Sequence, residues 1–330
     1  MKVGFIGLGN VGGKLAGSLL RNGYDLMVRD LDREIAQPFV DAGARFAESP
    51  REMAEQCDLV ITCLPSPAAS AAVMEAEDGL LAGFGSGKIW AEMSTTDEAE
   101  VKRLGAKVIE TGASPVDCPV SGGCHRADTG NIAIFAGCDR DVFERMLPVL
   151  TTLGRRVLHT GELGSASVLK VLTNYLATAN LITCAEALVT AKAAGMDLNT
   201  TYEAIAISSG NSFVHETESQ VILNGSRDIN FTMDLVVKDI SLFQAIADRH
   251  DVPLEMNPLM IQIFQDGMER FGPREWSPNI IKRLEEAGRV LLLADRVRRR
   301  RRQGPRWWTR DALARVGPPA LLRRRLWRGW

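Results

Sequence analysis

The chain has 330 residues, enough for about two domains of ordinary size, and 45% of them are hydrophobic, which excludes a disordered or fibrous protein. No uninterrupted apolar run approaches the roughly 18 residues of a membrane helix, so no membrane partner is expected. The net charge of −2 conceals an asymmetry: residues 296–330 hold thirteen arginines against one acid (+12), whereas the preceding residues hold 26 basic and 40 acidic side chains (−14).

Short apolar strands alternate with amphipathic helices through the first 160 residues. The pattern predicts strands over 2–8 and 25–30, with helices over 11–21 and 33–42. Residues 50–56 lead into 58–64, a nearly continuous apolar run typical of a strand buried on both faces. A strand over 88–93 and a helix over 97–110 follow. Strands over 131–136 and 156–160 then flank a helix over 140–150. Such alternation implies right-handed βαβ units and a Rossmann-type, doubly wound, mostly parallel sheet in an α/β domain. From 164 to 194 helical periodicity continues without a proline, long enough to run between two domains. Further helices are expected over 200–208, 213–223, 233–250 and 258–270. The expected organisation is a dinucleotide-binding domain over 1–162, an all-α substrate and oligomerisation domain over 163–288, and an Arg/Trp-rich tail over 289–330.

The six cysteines (57, 63, 118, 124, 138 and 184) form no C-x-x-C pair, and the four histidines have no metal-ligand spacing with them. Several cysteines lie in apolar runs, Cys63 among them, where a reduced thiol is expected. A cytoplasmic protein without a structural metal follows.

The first motif is GFIGLGNVG, which sets Gly7, Gly9 and Gly12 in G-x-G-x-x-G spacing between a strand and a helix. The first glycine permits the tight turn, the second lets backbone approach a pyrophosphate, and the third lets helix and strand pack closely. With Leu8, Asn10 and Val11 they form a loop whose N–H groups and helix dipole favour that anion. Asp30 follows Gly12 by eighteen residues, near the roughly 20 expected of the acid that binds a ribose 2′-hydroxyl. Asp32 adds charge that repels a 2′-phosphate and also suits a helix N-cap, while Arg29 and Arg33 partly offset it. NAD is therefore favoured over NADP. Leu64, Pro65 and Thr95 sit on loops that follow later strands, where a doubly wound sheet places its ligand.

Together with DCPVSGG (117–123), GSASVLKVLTN (164–174) and FTMDLVVKD (231–239), this motif resembles the four ordered motifs of the β-hydroxyacid dehydrogenases, a family that includes 3-hydroxyisobutyrate dehydrogenase. The resemblance spans residues 1–288. It implies an NAD(P)-dependent oxidoreductase that interconverts a small 3-hydroxyacid and its semialdehyde or ketoacid, and a homo-oligomer built through the helical domain.

Hydride transfer from an alcohol needs a base for the hydroxyl proton. Lys170 suits that role, because burial in its apolar stretch (Val168, Leu169, Val171, Leu172) would lower its pKa. Asn174 lies at i+4 on the same helical face. The resemblance implies this same pairing; the alternative is a lysine that snorkels to solvent. Ser121, Gly122 and Gly123 can form a nest for a carboxylate, which the resemblance implies, or a merely flexible loop. Lys238 and Asp239 match the family's Lys-Asp pair, in which the lysine closes the site and contacts substrate or cofactor; a solvated helix face is the bland alternative.

Two departures from the family stand out. Ala166 replaces a glycine four residues before the lysine, and Cys124, His125 and Arg126 replace small residues after the nest. His125 or Arg126 contacts an extra polar or anionic substrate group in one reading; both are ordinary loop residues in the other, commoner one. His215 and Glu216 decorate a helix that could border the pocket. Two other functions remain open: imine reduction on the same scaffold, which Lys170 beside Asn174 disfavours, and a non-catalytic dinucleotide-binding interaction protein. For the tail, out-of-frame translation of GC-rich DNA ranks first, a solvated disordered segment second, and nucleic-acid binding last.

Overall fold

The apolar runs of the first half become strands because alternate residues can be buried on opposite faces of one sheet. In β1 (Lys2–Ile6), β4 (Leu59–Thr62) and β5 (Ile89–Glu92), Val3, Phe5, Leu59, Ile61, Ile89 and Ala91 pack on one face, while Ile6, Val60 and Trp90 pack on the other. With β2 (Asp25–Arg29), β3 (Arg45–Phe46) and β6 (Ser114–Asp117) they run parallel in the order β3-β2-β1-β4-β5-β6. Beyond β6 the sheet turns mixed: β8 (Ile132–Gly137) is antiparallel to both β6 and β7 (Val120–Ser121), and β9 (Gly154–Gly161) is parallel to β8. The strand order runs outward in opposite directions from β1 and β4, so the carboxyl ends of these two parallel strands open a crevice.

Helices α1 (Gly12–Arg21), α2 (Arg33–Asp41), α3 (Pro50–Gln56), α4 (Pro67–Glu75), α5 (Glu98–Glu110), α6 (Cys124–Asp128) and α7 (Arg140–Leu153) cover the sheet. Their starts are written locally. Asp32, Ser49, Ser66 and Asp97 each accept a hydrogen bond from a first-turn N–H, and Pro50 and Pro67 occupy the first helical position. Several of the elements found here, among them β3, α4, β6, β7 and α6, are absent from the sequence-based expectation. The run PAASAAVME has no clear polar face to announce a helix, and β6 contains Pro115 and spans only four residues.

The computed structural model describes residues 1–294. The second half is helical: α8 (Ser165–Ala193), α9 (Leu198–Ala206), α10 (Phe213–Leu223), α11 (Met233–Arg249), α12 (Met256–Phe271) and α13 (Lys282–Gly288). Helix α8 has 29 residues and the mean hydropathy, 1.2, of a membrane span. It touches β6, β8 and β9 at one end and α9 to α13 along its length.

Residues 289–294, expected to open the tail, pack on this helical body. Leu292 is fully buried, its N–H donates to Glu285 Oε1, and the Ala294 N–H donates to Leu223 O. The three readings of the arginine-rich tail concern 295–330, which lie outside the described residues.

Glu285 also pairs with Arg227, whose Nη2 donates to both carboxylate oxygens at 2.8 and 2.7 Å, both side chains being under 10% exposed. Removing one partner of such a pair strands the other charge in the interior. Glu285→Ala is therefore expected to lower the unfolding free energy by about 3–5 kcal/mol, read from urea or guanidinium midpoints. A loss below about 1 kcal/mol would show that the pair contributes nothing.

Candidate active site

The glycine turn between β1 and α1 has little room for any other residue. A methyl at Gly12 would lie 2.0 Å from Gly7 O, and one at Gly7, which has φ +93°, would lie 2.3 Å from Cys63 O. A methyl at Gly9 would meet nothing within 4 Å. The turn thus closes tightly on the sheet and leaves open space over Gly9. The N–H groups of Gly9, Asn10 and Val11 have no acceptor among the described residues. Unpaired donors beside open space, at the start of a helix, fit the pyrophosphate of a dinucleotide.

Asp30 stands just beyond β2, half-buried, with Oδ2 accepting from Leu8 N at 2.7 Å and Oδ1 from Asp32 N at 3.1 Å. The carboxylate is thereby tied to the glycine turn. The nearby cations are engaged elsewhere. Arg29 donates to the carbonyls of Ala47 and Glu48, and Arg33 pairs with the Glu48 carboxylate while lying over the Phe46 ring at 4.4 Å. On the other side of the crevice Leu64 N donates to Ser94 Oγ, and Ser94 N to the buried carboxylate of Glu92. Glu92 and Ser94 hold the loops bearing Leu64, Pro65 and Thr95 together. Neither stood out in the sequence, although an acid closing an otherwise apolar strand was a usable signal.

Lys170 is 7% exposed. Burial lowers its pKa to about 8, outweighing the attraction of Asp239, and the Lys238 charge lowers it further. Its Nζ donates to Asn174 Oδ1 at 2.8 Å, and Asn174 Nδ2 in turn donates to Asp239 Oδ2. Asp239 Oδ1 lies 2.9 Å from Lys238 Nζ, an ion contact without hydrogen-bond alignment. Lys238 Nζ also donates to Thr95 O at 2.8 Å. One polar chain therefore links the β5–α5 loop, α11 and α8. Of the apolar residues expected to bury it, Val171 is fully buried and Val168 half-buried, but Leu169 and Leu172 are each 37% exposed; Ala166 and Ser167 also face inward with the lysine.

Ser121 ends β7, opposite Ala133, and Gly122 and Gly123 follow at φ +128° and +85°. Side-chain-bearing residues rarely adopt such backbone, so both positions favour glycine. The acid that opens the same motif has a structural task that the sequence did not reveal. Buried Asp117 accepts from Ser167 N at 2.7 Å and from Ser167 Oγ at 2.8 Å, and burial pushes its pKa up to about 7. It anchors the first turn of α8, three residues before Lys170. Ala166 takes the glycine's place without crowding, fully buried over β8. His215 is not a surface decoration. It is fully buried, with Nε2 on Tyr202 O and Nδ1 on Ser219 Oγ, and burial lowers its pKa. Glu216 is exposed and accepts from Asn211. All six cysteines are free thiols, and Cys63 is half-buried. No metal-binding cluster occurs among the described residues.

Residues 2–161 match the NAD binding domain of 6-phosphogluconate dehydrogenase, and residues 164–284 match the NAD-binding region of NADP-dependent 3-hydroxyisobutyrate dehydrogenase. The chain is 32% identical over 287 residues to 2-(hydroxymethyl)glutarate dehydrogenase of Eubacterium barkeri, covering 87% of this chain and 95% of that protein. It is 32% identical to mitochondrial 3-hydroxyisobutyrate dehydrogenase of Mus musculus, covering 80% and 81%. Among solved structures, 3-hydroxyisobutyrate dehydrogenase from Salmonella typhimurium superposes with a TM-score of 0.77 at 27% identity, covering 86% of this chain and 99% of that one.

The glycine turn makes a direct prediction. Gly12→Ala forces a methyl against Gly7 O, so NADH binding, followed by fluorescence titration, should weaken at least about tenfold. Unchanged affinity would show that the turn does not hold the dinucleotide.

Proposed function

The chain belongs to the β-hydroxyacid dehydrogenase family, and from that membership we propose how its residues carry out the reaction. It is an NAD(P)-dependent oxidoreductase acting on the CH–OH group of a small 3-hydroxyacid, which it interconverts with the semialdehyde or ketoacid. The observation that carries the mechanism is Lys170, a buried amine whose pKa of about 8 lets it both take and give a proton near neutrality.

The Ser121 hydroxyl and the N–H groups of Gly122 and Gly123 hold the substrate carboxylate. The neutral Lys170 amine accepts the hydroxyl proton during oxidation, and the ammonium returns it to the carbonyl oxygen during reduction. Nicotinamide, when bound, supplies the hydride acceptor or donor. Asn174 Oδ1 receives an ammonium proton and so fixes the direction of the amine, while Asp239 fixes the Asn174 side chain in turn. Lys238, bonded to Thr95 O, closes the crevice between the two halves and helps exclude water from the reacting groups.

The preferred dinucleotide is NAD. Asp30 is tied to the glycine turn where an acid suits a ribose 2′-hydroxyl, and Glu48 occupies the Arg33 guanidinium that a 2′-phosphate would need. The chain works as a homo-oligomer: α8 exposes Leu169, Leu172 and Leu176, the last at 55%, and a second copy is a suitable cover for so much apolar surface. The free thiols support a reducing, cytoplasmic setting.

Lys170→Ala should lower kcat by about 10²–10⁴-fold while NADH affinity stays within about threefold. Turnover surviving within a few-fold would overturn the assignment. In the oxidative direction kcat/KM should rise with pH and level off above about 8, because only the neutral amine accepts a proton. In the reductive direction it should fall through the same value, because only the ammonium donates one. For the cofactor, kcat/KM with NAD should exceed that with NADP at least about tenfold, and Asp30→Ala should narrow the ratio.

A further inference from the structure

Four arginines among the described residues have no side-chain hydrogen bond or ion pair there: Arg126, Arg155, Arg156 and Arg289. The last three are exposed; Arg126 alone is half-buried. It stands on α6, immediately after the carboxylate nest, and packs along it: a methyl at Gly122 would lie 3.0 Å from Arg126 Cδ and 3.8 Å from Nη1. Its guanidinium lies 4.5 Å from the centre of the Phe213 ring, at the start of α10 on the helical half. The Asp128 carboxylate on the same helix is drawn to Arg21 instead. A stacked guanidinium has its face occupied and its N–H edges free, an orientation suited to two-pronged binding of an oxyanion.

We propose that Arg126 is a specificity-determining residue and that the substrate is a 3-hydroxyacid carrying a second carboxylate, received by Arg126 while the first lies in the Ser121–Gly123 nest. The inference rests on the dehydrogenase reading above and adds the substrate class to it. A partly desolvated cation without a counter-ion is unfavourable until an anion arrives, so the site discriminates against neutral side groups. Phe213 holds the guanidinium in place by stacking and sets the distance between the two anion sites.

The test compares two substrates of one skeleton, 2-(hydroxymethyl)glutarate and 2-(hydroxymethyl)pentanoate, whose distal group is a carboxylate or a methyl. With full-length protein and NAD, the native chain should favour the dicarboxylate at least about tenfold in kcat/KM. Arg126→Ala should reduce this preference at least about tenfold, mainly through KM, and Arg126→Lys should restore part of it by returning the charge without the planar fork. NADH titration and a thermal melt check that each variant is folded. If the native chain oxidises both substrates without preference, or Arg126→Ala keeps the preference, the inference is overturned and the dehydrogenase reading stands. If the native chain oxidises neither these nor 3-hydroxyisobutyrate, both are overturned.

Discussion

The buried carboxylate of Asp117 is the joint on which the active site depends. It closes the last parallel strand of the sheet and accepts two hydrogen bonds from Ser167 in the first turn of α8. That position satisfies a helix N–H that would otherwise lack a partner and sets an acid at the positive end of a 29-residue helix. Four residues after Asp117 the chain reaches Ser121, and three residues after Ser167 it reaches Lys170. A single interaction thus sets the register between the proposed carboxylate nest and the proposed base. The burial that raises the pKa of Asp117 to about 7 is the cost of that rigidity.

Lys170 illustrates how opposing electrostatic effects settle on a useful value. Desolvation alone would drive the ammonium to give up its proton; the Asp239 charge opposes it through space, and the Lys238 charge adds to it. The balance, from 10.5 to about 8, amounts to on the order of 3 kcal/mol against the charged form. Were Asp239 directly paired with the lysine, the attraction would hold the pKa higher and leave less of the amine neutral near pH 7. The interposed amide holds the geometry while weakening the charge coupling.

The same logic separates the arginines. Near the proposed dinucleotide site, Arg33 pairs with Glu48 and lies over Phe46, which offsets its positive charge. Beside the proposed carboxylate nest, Arg126 lies over Phe213 with no acid paired to it. Both guanidiniums use an aromatic ring for support, and the presence or absence of a carboxylate decides which one is left for a ligand.

Much of the first half was legible because its signals are local. The glycine turn, the capping residue Asp32 and the apolar strand around Val60 each follow from a few adjacent residues, and the structure finds them where expected. The spacing of Lys170 and Asn174 likewise follows from one helical turn. Elements without such periodicity, α4, β6 and α6, were not legible. Which face of α8 turns inward was only partly legible: of the apolar residues beside Lys170, Val171 is buried with it while Leu169 and Leu172 are exposed. Asn174 meets Asp239 across 65 residues, Asp117 meets Ser167 across 50, and Arg126 meets a ring 87 positions away. Backbone periodicity belongs to a segment and can be read from it, whereas desolvation and charge pairing depend on every neighbour that folding brings close. The sequence by itself therefore determined the turn, the helix and the identity of the reactive side chains; only the tertiary structure decided which of them are buried, paired or left waiting for a ligand.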